Sequence, residues 1–233
     1  MNVTTWNMQG SSASTEVKWR TGVLTLAQTP ERWRPDVICL QECGGAPPSG
    51  TLLFSVPFLS PGGVATSVEV YLWGGTVSRP LAWVAFHQWD VLGNRVNLAV
   101  LTKQGPPAAG DVTLAWPAGA PAWRPVLGLR TGAQVVFSCH AISPGGADAP
   151  GLLAAAQGAA GALPWVVAGD FNRTPDGFAP AGSVVCPPNG PTYPTKKPES
   201  KYDYAIRSGA AAPPAGLVLS LLLSDHMPVA FIF

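Results

Sequence analysis

Charge is scarce in this chain. Only 12% of its 233 residues are Asp, Glu, Lys or Arg, and 14 basic side chains nearly cancel 13 acidic ones, leaving a formal net charge of +1. A protein that holds nucleic acid through a broadly basic surface is thereby excluded. Long apolar runs are missing too: none approaches the ~18 residues of a membrane-spanning helix. Cys39, Cys43, Cys139 and Cys186 are the only cysteines. They are too sparse for a disulfide framework, and with no C-x-x-C pair nothing points to zinc. Cys39 and Cys139 lie in apolar runs and read as buried free thiols. The segment Met1-Asn2-Val3-Thr4-Thr5-Trp6-Asn7 lacks the basic and apolar regions of a secretory signal. The expectation is a cytoplasmic protein, or one whose leader has been replaced by Met1. Gly (26) and Pro (25) follow no period, which excludes collagen.

What is present supports a folded core. Apolar residues make up 47%, and nine Trp and eight Phe among them argue against disorder. There is no repeat and no shift in composition, so residues 1–233 read as one domain of the larger single-core kind. Short β-rich runs alternate with turn-rich loops from Asn2–Trp6 to Val229–Phe233. Several, such as Val135-Val136-Phe137 and Trp165-Val166-Val167-Ala168, are apolar at consecutive positions, as strands buried on both faces are. Leu217–Leu223 reads as a strand. Helices are predicted at Ser14–Gln28, stopped by Pro30, and at Ala149–Leu163, which Gly151, Gly158 and Gly161 weaken. Gln104–Ala122 and Thr174–Lys201 carry the densest Pro and Gly and read as surface loops. The fold class that fits is α/β (α+β): a four-layer α/β/β/α sandwich of two packed mixed sheets flanked by helices.

Five of the apolar runs end in an unusual polar residue. VTTW ends in Asn7, DVICLQ in Glu42, QVVFSC in His140, WVVAG in Asp170 and Asn172, and LVLSLLLS in Asp225-His226. Turn preference alone explains any one of these. The recurrence points instead to one rim where strand ends converge. Glu42, Asp225 and Asn7 offer the oxygen ligands of a hard cation: Mg²⁺, with Ca²⁺ or Mn²⁺ as alternatives. His140 and His226 suit acid–base work on a phosphate, and Asp170 suits orienting or activating a water. With no Ser or Cys nucleophile in the set, the chemistry is direct attack of water on a phosphoester. The third histidine, His87, lies between Phe86 and Gln88 in an apolar strand and reads as structural. Lys196, Lys197 and Lys201 read as a solvated loop.

The blocks TWN, LQE, SCHA, AGDFN and SDH, in this order, resemble the endonuclease/exonuclease/phosphatase superfamily. Within it, TWNMQGSSASTEVKW, WGGTVSRP, NRVNLAVLT, WRPVLGLR, HAISPGGADA, AGDFNRTP and YDYAI are similar to the catalytic chains of cytolethal distending toxins. The likeness runs from residue 3 to the C-terminus. It implies a metal-binding role for Glu42, with Asn7 and Asp225 lining the same metal and phosphate site. It pairs His226 with Asp203 of YDYAI, and gives Asp170 and Asn172 the positioning of water and the stabilisation of the phosphorane. His140 is then the second active-site histidine, with Glu69 of VEVYLW expected as its acidic partner. Arg95 and Arg124 match two phosphate-contacting arginines; an ordinary surface role is the alternative, but Arg95 precedes an apolar strand with few other charges nearby, and a guanidinium suits bidentate phosphate contact.

By that resemblance the chain is a Mg²⁺-dependent phosphodiesterase that nicks DNA, a secreted toxin-type nuclease carried to its target by delivery proteins. No such partner is identifiable in the sequence. Two readings compete: a phosphoinositide phosphatase using the same site, and a non-catalytic binding module. The complete set of metal-type, histidine and arginine residues argues against the second.

Overall fold

The computed structural model describes residues 1–10, 17–76, 78–118, 124–211 and 215–233. Its framework is two stacked sheets. The first contains β1 (Asn2–Asn7), β2 (Val37–Gln41), β3 (Thr51–Leu59), β4 (Ala65–Thr76), β5 (Arg79–His87), β6 (Leu98–Thr102), β13 (Leu217–Val218) and β14 (Val229–Ile232), in the order β13-β14-β1-β2-β6-β5-β4-β3. The second contains β7 (Val112–Ala115), β8 (Val126–Thr131), β9 (Gln134–His140), β10 (Trp165–Asp170), β11 (Ser183–Cys186) and β12 (Asp203–Ser208), in the order β11-β12-β10-β9-β8-β7. Each sheet is mixed: β1 and β2 run parallel in the first, β9 and β10 in the second.

Side-chain alternation along β1 and β2 builds the layers. Val3, Val37 and Cys39 join the core between the sheets, while Trp6, Ile38 and Leu40 face outward into a second cluster. That outer cluster is covered by a helical segment, Lys18–Val23 wound as a π-helix and continuing into α1 (Leu24–Ala27), which buries Trp19, Val23 and Leu26. The residues before Val17 in the predicted Ser14–Gln28 helix lie outside the described residues. On the opposite side, α2 (Ala149–Ala160) lays Leu152, Leu153 and Ala156 on the second sheet. It ends at Gly161, whose φ of 59° leaves the helical region, so one of the glycines that weaken the helical pattern is its stop signal. The four layers expected from the sequence are these.

Three strands escape the sequence pattern, and all three are sheet edges. β3 lies beyond β4, β7 beyond β8 and β11 beyond β12. β7 and β11 fall inside Gln104–Ala122 and Thr174–Lys201, expected as loops; the end of the first, 119–122, lies outside the described residues. An edge strand buries little and tolerates Pro, as Pro57 in β3 shows. The reverse correction applies to Leu217–Leu223: only Leu217–Val218 is a strand, because β14 offers a short partner and the chain then turns to carry 224–226 back to the rim. All four cysteines are buried and free, as expected for Cys39 and Cys139.

Candidate active site

Parallel pairing puts four strand ends at one rim. Asn7 of β1 lies beside Gln41 of β2, which Glu42 follows. His140 of β9 lies beside Asp170 of β10, and antiparallel β12 brings Asp203 to the other side of Asp170. The two sheets are tied together here by buried polar bonds. The Asn7 Nδ2 donates to Asp170 Oδ2 at 3.0 Å, and Gln41 Nε2 donates to Ser138 Oγ at 2.8 Å. The loop before β14 is anchored to β1: Ser224 Oγ donates to the Asn7 carbonyl at 2.7 Å and Trp6 Nε1 to the His226 carbonyl at 3.1 Å.

The non-glycine residues with left-handed backbone in the described chain are Gln9, Glu42, Asn94 and Asn172. Glu42, at φ 45°, directly follows β2, Asn172, at φ 50°, lies two residues beyond the end of β10, and Gln9 lines the same cleft. Such conformations cost energy and persist where surrounding structure imposes them, characteristically at functional sites.

The closest pair is Asp203 and His226. Asp203 Oδ2 lies 2.8 Å from His226 Nδ1, both residues being buried. His226 Nε2 is then directed toward Asp170 Oδ2, 3.6 Å away. Burial works against a charged imidazole, but the bonded Asp203 carboxylate, with Asp170 and Asp225 nearby, outweighs it and raises His226 to about 10. Asp170 is pushed up to about 7, chiefly by burial and then by Asp203; His226 and the Asn7 amide oppose this. Asn172 closes the group: its backbone N–H donates to Asp170 Oδ1 at 2.8 Å and its Nδ2 to the Ala141 carbonyl at 2.9 Å.

His140 Nε2 lies 3.5 Å from Glu42 Oε1 and 3.7 Å from Asp170 Oδ2. Burial, then Arg124 and His226, hold it well below the ordinary histidine value, so it is neutral at pH 7. Glu42 is raised, mainly by burial, although Asn7 Nδ2 donates to it at 3.2 Å. These groups line a cleft of about 550 Å³ with Asp225, Arg95 and Arg124 on its walls. Arg124 Nη1 donates to the Ala141 carbonyl at 3.3 Å, whereas the Arg95 side chain stands exposed at the rim.

Eight of the eleven residues singled out in the sequence thus line one cleft, and Asn7 and Asp203 lie beneath it, bonded to Asp170 and His226; Glu69 does neither. Glu69 pairs across β4 and β5 with Phe86, a member of the outer cluster, and its carboxylate accepts from the Tyr71 hydroxyl. Period-two alternation turns it away from the second sheet, where His140 resides. The expected Glu69–His140 partnership is corrected accordingly. His87 is buried away from the cleft with Nδ1 3.0 Å from the Ser67 carbonyl, and Lys197 pairs with Glu199 in solvent at 2.8 Å.

Three residues of the site give no signal of their own in the sequence. The Thr192 Oγ1 accepts the N–H groups of Tyr202 and Asp203, fixing the start of β12. Tyr193 packs its ring 4.6 Å from the His226 ring. Both lie in a stretch whose composition reads as a Pro-rich loop. Buried Asp148 accepts the Ile142 N–H at 2.7 Å and favours the charged form of Arg124; its block, HAISPGGADA, is informative only as a whole.

Carboxylate and imidazole donor atoms of Asp170, Asp203 and His226 lie within 4.8 Å of one another, close enough that this group could hold a metal ion. An ion there would displace the Asp203–His226 hydrogen bond. The wider donor set also fits a divalent cation: Glu42, Asp170, Asp203 and Asp225 crowd together with burial opposing charge on Glu42 and Asp170. Asn7 turns its amide nitrogen toward Glu42 and its oxygen toward the Gln9 N–H, at 2.9 Å.

Over residues 4–226 the chain matches the endonuclease/exonuclease/phosphatase family. The chain belongs to that family. Its fold and buried carboxylate–histidine group are accordingly those of a hydrolase acting on phosphoester bonds. Within the endonuclease/exonuclease/phosphatase family it is 35% identical over 248 residues to the cytolethal distending toxin B-subunit homolog of Salmonella typhi, covering 99% of this chain and 88% of that protein. It is 32% identical over 254 residues to the cytolethal distending toxin B-subunit of Escherichia coli, covering 97% and 89%. Among solved structures, the cytolethal distending toxin of Actinobacillus actinomycetemcomitans superposes with a TM-score of 0.80 at 29% identity, over 99% of this chain and 97% of that one. No helix among the described residues is long and apolar enough to cross a membrane.

Proposed function

We propose that the protein is a DNA-nicking phosphodiesterase of the distending-toxin type, the whole chain serving as one catalytic domain. The observation that carries this is the Asp203–His226 pair at 2.8 Å, its free imidazole nitrogen facing Asp170 on the floor of a cleft walled by Arg95 and Arg124. Asp203 fixes the tautomer and favours the imidazolium. Arg95 and Arg124 grip non-bridging oxygens of the phosphodiester, Arg124 as a preorganised donor held by carbonyls. Asn172 holds Asp170, whose pKa near 7 suits it to position a water and take its proton. The water oxygen bonds to phosphorus as the ester bond opposite breaks, and the His226 imidazolium protonates the leaving oxygen. Neutral His140 donates a hydrogen bond to the phosphorane. Glu42 and Asp225 are the residues we assign to a divalent ion, Mg²⁺ before Ca²⁺ or Mn²⁺, with Asn7 orienting Glu42 or ligating through a turned amide. When bound, the ion supplies charge neutralisation at the phosphate.

The likeness to the toxin chains of Salmonella typhi and Escherichia coli supports reading the protein as a secreted toxin with DNA as substrate and delivery proteins as partners. The alternative keeps the site and changes the substrate to a phosphoinositide. Supercoiled-plasmid nicking with Mg²⁺ and with EDTA, run beside phosphate release from a phosphoinositide, separates them. Mg²⁺-dependent nicking without phosphate release is expected; phosphate release without nicking overturns the DNA reading.

A further inference from the structure

Two aliphatic side chains on the lip of the cleft are conspicuously placed. Leu92 is 97% exposed and Val91 69%. They form the tip of the turn 90–95, whose two ends, Asp90 and Arg95, line the cleft. A single exposed aliphatic residue needs no explanation. This pair is held out by an ordered turn. Asp90 accepts the N–H of Gly93 at 2.8 Å and of Arg95 at 3.3 Å through its carboxylate, and the N–H of Asn94 at 3.0 Å through its carbonyl. Its own N–H donates to Asn97 Oδ1 at 2.9 Å. Gln88 and Asn97 both donate to the Asn94 side-chain oxygen, at 2.9 and 3.0 Å, and Asn94 adopts φ 52°.

We propose that Val91 and Leu92 form an apolar wedge that enters duplex DNA beside the scissile phosphate, while Arg95 at the foot of the same turn grips the backbone. The proposal rests on the DNA reading above. A stiff duplex presents its phosphates on a convex rod, whereas the reacting groups lie at the bottom of a cleft between two sheets. Inserting aliphatic side chains at a base step unstacks it and bends the duplex. That distortion turns one backbone phosphate toward the cleft. Two side chains match the size of one step. The chain's net charge of +1 gives little bulk attraction to DNA, so local shape at the turn must add to the grip of Arg95 and Arg124. A membrane is the poorer occupant: two aliphatic side chains anchor to it only marginally.

The test compares the unaltered protein with the double variant Val91→Ser/Leu92→Ser and with Leu92→Ala. Three readouts are taken: plasmid nicking, hydrolysis of the small diester bis(p-nitrophenyl) phosphate, and sedimentation with anionic vesicles. In a His226→Ala background, binding to a duplex carrying 2-aminopurine reports unstacking. The double variant is expected to lose roughly tenfold or more in plasmid nicking and to abolish the fluorescence rise, with small-diester hydrolysis and melting temperature unchanged. Undiminished nicking and unstacking by the double variant overturn the wedge and leave the DNA reading standing. Absence of nicking by the unaltered protein, with small-diester hydrolysis intact, overturns both. Vesicle binding that the serines abolish, without loss of nicking, makes the tip a membrane contact instead.

Discussion

Asp203 and His226 stand 23 positions apart in sequence yet share one hydrogen bond at 2.8 Å in a buried environment. Residues acting as one catalytic unit lose activity non-additively. His226→Ala and Asp203→Ala should each lower nicking by roughly 10²-fold or more, and the double variant should be little worse than either. Fully multiplicative losses, measured as kcat/KM on the same plasmid, would mean that Asp203 works independently of His226. Glu42 carries the second residue-scale prediction. Its carboxylate is held against burial, so an ion that it ligates stabilises the fold, by about 2.7 kcal/mol at a hundred times Kd. Mg²⁺ should therefore raise the melting temperature of the unaltered protein, on the order of 5–10 °C at that loading. Glu42→Gln should abolish the rise and melt no earlier than the unaltered protein in EDTA. An equal Mg²⁺ shift in both proteins removes Glu42 from the metal site.

At the scale of elements, β9 and β10 carry the site because their backbones approach closely at its edge. A Cβ at Gly169 would sit 2.0 Å from the Cys139 carbonyl oxygen and 2.8 Å from its sulfur. Neither neighbour can give way, since both belong to buried β9. Gly169→Ala should cost at least about 2 kcal/mol, at the upper end of overpacked cores, and displace Asp170, the next residue. Urea denaturation with a plasmid-nicking assay on the folded fraction checks both effects. Sequence pattern locates β9 and β10 well, because burial on both faces gives a continuous apolar run. It misses β3, β7 and β11, because an edge strand has only one partner: β7 and β11 are four-residue strands among Pro and Gly, and β3 carries Pro57 and leaves Leu52, Leu53 and Leu59 exposed. The Thr192 and Tyr193 segment is missed for a related reason: its Pro-rich composition reads as loop, while its task is to brace β12 and cover His226.

For the whole molecule, stability should follow pH through histidines buried in neutral form. Burial lowers His87 from its ordinary 6.5, although its bond to the Ser67 carbonyl opposes this. The unfolded chain then takes up the proton first as pH falls, so stability rises with pH where the unfolded state binds more protons. The contribution is complete above 6.5 and is lost as pH drops from 6.5 toward the lowered folded value. His140 acts in the same direction. Asp170 and Glu42, both raised on folding, work the other way on acidification, so the His87 contribution is read as a difference: as pH falls below 6.5, urea midpoints of His87→Gln should decline less than those of the unaltered protein. A parallel decline in both proteins would show that His87 does not contribute.

Local pattern in the chain is enough for the two-sheet sandwich and for the set of strand-end polar residues, since core strands and their terminating Asn, Glu, His and Asp are set by burial and backbone geometry. Ordered family blocks add Asp203, which no local pattern marks. Which residues meet was settled by assembly alone. Register turned Glu69 outward to Tyr71, although its chain position suited a partner of His140. Parallel pairing within each sheet, and the stacking of one sheet on the other, brought Asn7 to Asp170 across 163 positions. Contacts of that kind depend on strand order and side-chain parity, quantities that exist only once the sheets have come together.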